Sequence, residues 1–346
     1  MPASDSDILD LALSTQKNLG PAEFRQIAQN LTEYEVAGYM LKRDKVTVSS
    51  GNGINRRLML DFTETSRWTK LYEGDEVVIG DTLREINVPW RHMVTYYGWD
   101  RRELLMNRGE SMLTNLMNVR RTSALLAQAE LLENAYWSKP ADSSDDRTMF
   151  GLFYWLVSSA TTGFNGGNAT GFSSGPGGLD ASVDRNAKWR NYTAQFSAIT
   201  KADLIQKMRR GHRLIGFKSP VPGGVSTAQT YRIYTGIENI EAIESLGESQ
   251  NENLGKDIAS MDGVMTFRGN PIVRIEKLDS TYMSDRPLLF VNRDSQELEF
   301  LSGNVLRESE PDKVGGNHNL MAVFIDSTLN SLTMDRRRNA YFRYSA

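Results

Sequence analysis

The sequence predicts an α+β fold, and three observations carry the prediction. Between Ile86 and Trp137 the hydrophobic period changes from that of a strand to that of a helix. Ahead of that run, between Lys45 and Phe62, apolar residues alternate with polar ones around an Asn-Gly pair. Beyond residue 219 short apolar runs return between turn signals, with one helical stretch among them.

Residues 1–20 are polar and rich in Ser and Asp, the composition of an arm. Pro21-Ala22-Glu23 opens a helix to about Leu41, with Phe24, Ile27, Ala28, Leu31 and Tyr34 on one face. From Lys45 to Phe62 the pattern is a long β-hairpin, with Val46 and Val48 on one limb and Leu58, Leu60 and Phe62 on the other. Its tip is placed at Gly51-Asn52-Gly53, since Asn-Gly favours the positive φ of a tight turn. Residues 63–81 form a returning limb. An arm of this kind buries little apolar surface alone and needs a neighbour.

From Ile86 to Tyr96 the even positions are mostly apolar, and Pro89 marks an edge strand because it has no amide proton to give. From Glu110 to Trp137 there is neither Pro nor Gly, and helix formers dominate. Leu113, Met117, Ala124, Leu131 and Ala135, flanked by Leu116, Leu125, Leu126 and Leu132, make a broad apolar stripe on a helix about 40 Å long. Lys139-Pro140 ends it. A glycine-rich loop follows at 163–178, then a helix capped by Thr200 with Asp203 three residues on, ending near Gly211 or Gly216.

Ser219-Pro220-Val221-Pro222-Gly223-Gly224 marks a boundary. After it come a strand at Thr230–Tyr234, a helix at Ile237–Leu246 and a strand at Pro271–Ile275. A hairpin is expected from Pro287–Asn292 with Leu298–Leu301, then a strand at Leu320–Ile325 and an extended segment around Arg336–Tyr344. The divisions are 1–41, an extended hairpin at 42–87, 88–218 with the long helix 110–137, a second domain at 219–305, and a return at 306–346.

Composition excludes several function classes. The 346 residues are enough for more than one domain. A net charge of -3 gives no bulk attraction to nucleic acid or an acidic membrane. There is no cysteine, hence no disulfide, thiolate metal site or cysteine nucleophile. The acidic start does not read as a signal peptide, and the most apolar run, Met149–Val157, is far short of the ~20 residues that span a bilayer. The expectation is a soluble protein made in a cytoplasm.

The candidate chemical motifs fail one by one. Gly166-Gly167-Asn168-Ala169-Thr170-Gly171-Phe172-Ser173 imitates a phosphate loop, but Phe172 stands where the lysine must be. Gly51-Asn52-Gly53 lacks the third glycine of a dinucleotide fingerprint. Gly224-Val225-Ser226-Thr227-Ala228 leads into a strand, where a nucleophile elbow requires a helix. His92, His212 and His318 are too far apart for a local zinc motif. Asp142–Asp146 lacks the glycine and terminal glutamate of a calcium loop. No catalytic, cofactor or metal residue is assigned. Two basic clusters, Lys207/Arg209/Arg210/His212/Arg213 and Arg336-Arg337-Arg338, read first as solvated faces, then as subunit contacts, and last as nucleic-acid sites.

The order of pieces, with Val88-Pro89-Trp90-Arg91-His92 entering Tyr96-Tyr97-Gly98-Trp99-Asp100 and Glu103 ahead of the long helix, resembles the Hong Kong 97-type major capsid proteins of tailed bacteriophages. Phe267-Arg268-Gly269-Asn270-Pro271-Ile272-Val273 is similar to a strand of that family's axial domain. Leu289-Phe290-Val291-Asn292 and Arg336-Arg337-Arg338-Asn339 resemble its C-terminal pattern. The resemblance implies that 42–87 is an extended loop over a neighbouring subunit, 110–137 the spine helix of a peripheral domain, and 219–305 an axial domain. It departs from the family in lacking a long helical scaffolding segment at the N-terminus.

The same resemblance implies a virion shell of hexamers and pentamers around double-stranded DNA, without enzymatic activity. Its partners would be portal, scaffolding and decoration proteins, with weak non-specific contact to DNA and none to membrane. Gly51, Asn52, Gly53, Arg56, Arg57, Trp68 and Lys70 on the loop, with Arg336, Arg337 and Arg338, are the expected inter-subunit residues. The alternatives are an encapsulin-like compartment shell and, from another class, a hydrolase using His212 or His318.

Overall fold

The computed structural model describes residues 34–41, 46–63, 65–74, 80–106, 110–217, 230–248, 265–316 and 319–345. The expected arm at 1–20, most of the helix at 21–41, the Pro-rich boundary at 219–224, the segment 224–228 and His318 lie outside them.

In chain order, a short π-helical turn Val36–Met40 precedes β1 (Val46–Ser49), β2 (Gly53–Met59), β3 (Leu83–Pro89) and β4 (Arg91–Asp100). Helices α1 (Arg101–Met106), α2 (Glu110–Tyr136) and α3 (Leu152–Trp155) lead to β5 (Gly163–Gly166) and β6 (Asn191–Phe196). Then come α4 (Gln206–Ile215), β7 (Tyr231–Thr235), α5 (Ile237–Glu248), β8 (Thr266–Phe267), β9 (Asn270–Arg274) and β10 (Leu288–Asn292). The chain closes with β11 (Gln296–Leu301), β12 (Arg307–Glu308), β13 (Asp312–Lys313), β14 (Leu320–Thr333) and β15 (Ala340–Tyr344).

Two sheets carry the body. The six-stranded sheet runs β1-β11-β14, with β4 along one edge of β14 and β12 and β13 on the other. The seven-stranded sheet runs β5-β6-β15-β10-β7-β9-β8. Its strands β5, β6 and β15 come from outside 219–305, and β11 from inside that range joins the other sheet. The expected boundary is therefore corrected: a sheet recruits strands by pairing, whatever their separation along the chain. For the same reason β10 and β11 are not a hairpin. The turn Arg293–Ser295, capped by Asn292, sends each to a different sheet.

The long helix is observed over Glu110–Tyr136 against the expected 110–137. Its Met117 and Ala124 pack on Tyr97, Trp99, Met321, Val323 and Ile325 of the β4–β14 pair. Gly98 allows the close strand approach there, since a Cβ would stand 2.7 Å from the Met321 carbonyl. The buried face of α2 includes Gln128 and Glu133, while Leu125 and Leu131 of the expected stripe are exposed. Leu132, Tyr136 and Trp137 enter the core that the two sheets share, with Leu289, Val291, Leu298, Phe300 and Leu329.

The alternation expected from Ile86 to Tyr96 breaks at Trp90. Ile86 and Val88 of β3 are buried, but in β4 the odd residues Met93, Tyr97 and Trp99 turn inward. Trp90 lies between the two strands, its Nε1–H donating to the Gly51 carbonyl at 2.9 Å. A one-residue break reverses every later side chain. Val94 and Tyr96 thereby face outward. The edge position expected for this run is observed, since β4 pairs only with β14 among the described strands.

Candidate assembly surface

The arm is β2 paired with β3, in register from Gly53 with Pro89 to Met59 with Leu83. This corrects the expected hairpin. β1 does not pair with β2 but lies parallel to β11, so Gly51-Asn52-Gly53 is the elbow at the root of the arm and not its tip. Gly51 takes the positive φ, at 121°, and the tip lies beyond the Met59–Leu83 pair, where the described residues are 60–63, 65–74 and 80–82.

The root is held by burial and charge. Ile54, Ile86 and Val88 pack on Trp155, Trp189 and Leu332. On β2, Arg56 is ion-paired with Glu299 of β11, whose side chain is fully buried and also accepts the Ser49 hydroxyl at 2.9 Å. Arg56 is thus committed inside the subunit, whereas Arg57 is exposed.

Toward the tip the chemistry reverses. Met59, Phe62, Leu71 and Leu83 are more than half exposed, and Trp68 and Tyr72 are fully so. Local bonds shape the turn: the Lys70 amide donates to Glu73 at 2.8 Å, and Arg67 reaches the Gly74 carbonyl at 2.6 Å. Lys188 meets Asp61 at 2.9 Å and lies 4.6 Å over the Phe62 ring, tying one flank to the body. The Lys188 hydrogen bond holds the Asp61 carboxyl below its ordinary pKa. Each large apolar side chain at the tip would give about 1.5–3 kcal/mol on full burial. A second outward apolar region is the Val94 and Tyr96 face of β4, with Tyr96 6.2 Å from Phe324. A groove of about 570 Å³ between β4 and α2 adjoins it, lined by Leu131 and Ala127.

The arginine cluster is a correction. Arg336 is fully buried; its guanidinium donates to the carbonyls of Trp155 and Trp189, both at 2.6 Å, and to Gly167 at 2.8 Å and Gly166 at 3.2 Å. Burial holds its pKa below the usual range. Arg338 is also buried, with Asp335 at 2.9 Å. Neither is a solvated face: backbone carbonyls from three segments draw Arg336 inward, and the Asp335 carboxylate holds Arg338. Arg337 is half-buried, 4.9 Å over Phe164. The other cluster does face solvent at Arg209, Arg210 and Arg213.

The remaining motifs are structural. The glycine loop turns its Gly166 and Gly167 carbonyls to Arg336 and buries Phe172 against Tyr154 at 4.8 Å. At Asp142–Asp146, the Thr148 and Arg147 amides, with the Thr148 hydroxyl, hold the Asp145 carboxyl down to about 2, while Arg91 clasps the Asp145 and Asp146 carbonyls at 2.6 and 2.7 Å. His212 meets Asn270 at 3.2 Å among Tyr231, Phe267 and Phe290; burial, then Arg268, lowers its pKa. His92 Nδ1 lies 2.8 Å from the Thr328 hydroxyl. Among the described residues no cluster of His, Asp and Glu has a metal-binding arrangement, and no helix is long and apolar enough to cross a membrane.

No family model matches the chain, and no curated protein does. Solved structures do. The chain is similar to the capsid asymmetric unit of cyanophage A-1(L), at 14% identity, over 96% of this chain and 98% of that one, with a TM-score of 0.61. It is similar to the capsid of a native GTA particle at 12% identity, over 95% and 96% of the two chains, with a TM-score of 0.58. For the empty GTA particle the values are 11%, 93%, 100% and 0.54. The chain therefore has the α+β capsid fold that its layout resembles, over nearly its whole length.

Proposed function

We propose that this chain is the major capsid protein of a tailed bacteriophage, assembling as hexamers and pentamers into a virion shell around double-stranded DNA. The observation that carries the reading is the near-complete two-way coverage of capsid chains, joined to an arm whose root is buried and whose tip exposes Trp68, Leu71 and Tyr72. An exposed apolar tip of this kind marks an interaction surface, and a closed shell covers every copy by symmetry.

Shell formation requires no reaction, and the hydrolase alternative finds little support. His212 stands against an amide and three aromatic rings. The similar solved structures are phage and GTA capsids, which favours a genome-enclosing shell over an encapsulin-like compartment. Portal, scaffolding and decoration proteins are the partners of this reading. DNA contact is weak and non-specific, resting on a few Lys and Arg against phosphate.

Expression of the full chain, with a scaffolding protein where needed, followed by electron microscopy tests the reading. Closed shells or capsomers are expected. A monodisperse monomer under every assembly condition would overturn it, and shells filled with one protein cargo would favour the compartment.

A further inference from the structure

Helices α4 and α5 cover one face of the seven-stranded sheet. Met208 and Ile215 of α4 and Ile240 and Ile243 of α5 enter a single core, built on Ile233 and Phe290 of that face. The two helices lie toward opposite ends of it. α4 rests on β6 and β15, so closely that a Cβ at Gly211 would stand 2.7 Å from the Phe342 ring. α5 rests on β9, beyond β10 and β7 in the strand order.

Charge divides the same way. Every charged side chain of α4 is basic, and every one of α5 is acidic. With Met208, Gly211 and Ile215 buried, the helical period turns Arg209, Arg210 and Arg213 outward, and all three are exposed. Glu241 and Glu244 are exposed on α5. Lys207 is paired with Asp203 and Glu238 with Ser280. No ion pair or hydrogen bond among the described residues holds Arg209, Arg210, Arg213, Glu241 or Glu244. Like charges three or four residues apart disfavour the helix that carries them, so this segregation does not stabilise the subunit.

Faces of opposite sign at opposite ends of one sheet suit a second copy of this chain, the basic end of one meeting the acidic end of the next. A contact between two different patches is head-to-tail, and repeated by rotation it closes a ring. A polyanion lying across the same face would meet the carboxylates of α5 as well, which disfavours nucleic acid there. We propose that α4 of one subunit docks on α5 of its neighbour within a ring, with Arg209, Arg210 and Arg213 against Glu241 and Glu244. The inference rests on the shell reading and adds which faces close the ring.

Charge reversal in the full chain, with scaffolding protein where needed, tests it. Arg209→Glu/Arg210→Glu/Arg213→Glu makes both faces acidic, and Glu241→Lys/Glu244→Lys makes both basic. Each variant alone is expected to give rings and shells at about one-tenth of the wild-type yield or less, because like charges then meet. Native mass spectrometry and electron microscopy read the yield, and circular dichroism should not change, since the positions are exposed. Mixed in equal amounts, the two variants should alternate around a ring. Six-membered rings then recover, whereas five-membered rings, which have no alternating arrangement, do not. Should the triple reversal fail to fold, Arg209→Gln/Arg210→Gln takes its place and should lower ring yield about threefold at low salt, less at high salt. Wild-type shells with undiminished yield in the variants would overturn this contact and leave the shell reading standing. A wild-type chain that stays monomeric would overturn both. Absence of recovery on mixing the two reversed variants would overturn the pairing of the two faces, and so would a loss of bound DNA with ring yield kept, which would assign α4 to nucleic acid.

Discussion

Arg56 on the arm and Glu299 on β11 form an ion pair in which the carboxylate is fully buried and the guanidinium partly exposed. The pair joins two elements that are 243 residues apart in the chain. It fixes where the arm leaves the body, because Ser49 at the end of β1 donates to the same carboxylate.

Removing one partner leaves a buried charge uncompensated. Arg56→Gln is expected to lower subunit stability by roughly 2–3 kcal/mol, the range for a charged hydrogen bond lost from a carboxylate that keeps one other donor. The double variant Arg56→Gln/Glu299→Gln should recover much of this, because the orphaned charge is gone. Urea unfolding of the unassembled subunit measures both. Simple additivity of the two single changes would show that the pair is not coupled.

At the other end of the arm the expectation is opposite. Trp68, Leu71 and Tyr72 are 84% or more exposed, so replacing all three with Ser should move subunit stability by no more than about 0.5 kcal/mol each. Particle yield, followed by sedimentation, should fall by an order of magnitude or more, since each shell interface repeats the loss. A destabilised subunit would place these residues in its own core.

Local signals in the sequence were faithful, and pairing was not. The long helix, its stop, and the Thr200 cap accepting the Asp203 amide are all present, because propensity and capping act within a few residues. The arm was legible as an arm, but its tip was misplaced. Nothing local tells Val46–Ser49 to lie along β11 instead of β2. The outward Val94 and Tyr96 were hidden by a phase reversal at a single residue, Trp90. Arg336 gave no local sign at all: a triple arginine reads as a solvated run, and only the long-range meeting of Trp155, Gly166 and Trp189 shows otherwise.

Arg336 should therefore behave as a core residue. Its donors satisfy carbonyls from three separate segments, a planar fork that an ammonium on a flexible stem does not reproduce. Arg336→Lys is expected to cost about 3 kcal/mol or more and to leave little folded subunit. Circular dichroism and solubility of the purified variant check this, and a normal melting curve would refute it.

His212 gives the pH dependence its sign. Burial comes first and the nearby Arg268 second, and both hold its pKa below the ordinary 6.5, so the native state binds this proton less readily than the unfolded chain. Stability from His212 is then fully present above pH 6.5 and is lost as pH falls below that value toward the lowered native pKa. Replacing the ring by Gln removes the titration while leaving an amide to face Asn270. Wild-type protein should lose more stability than His212→Gln between pH 7.5 and pH 5, read as the shift in urea midpoint at each pH. At pH 7.5, where the ring is neutral in both states, the two should form particles in equal yield. A midpoint difference that does not change with pH would mean that the ring contributes packing alone, and a collapse of particle yield at pH 7.5 would give His212 a part in assembly that its enclosure by Tyr231, Phe267 and Phe290 does not suggest.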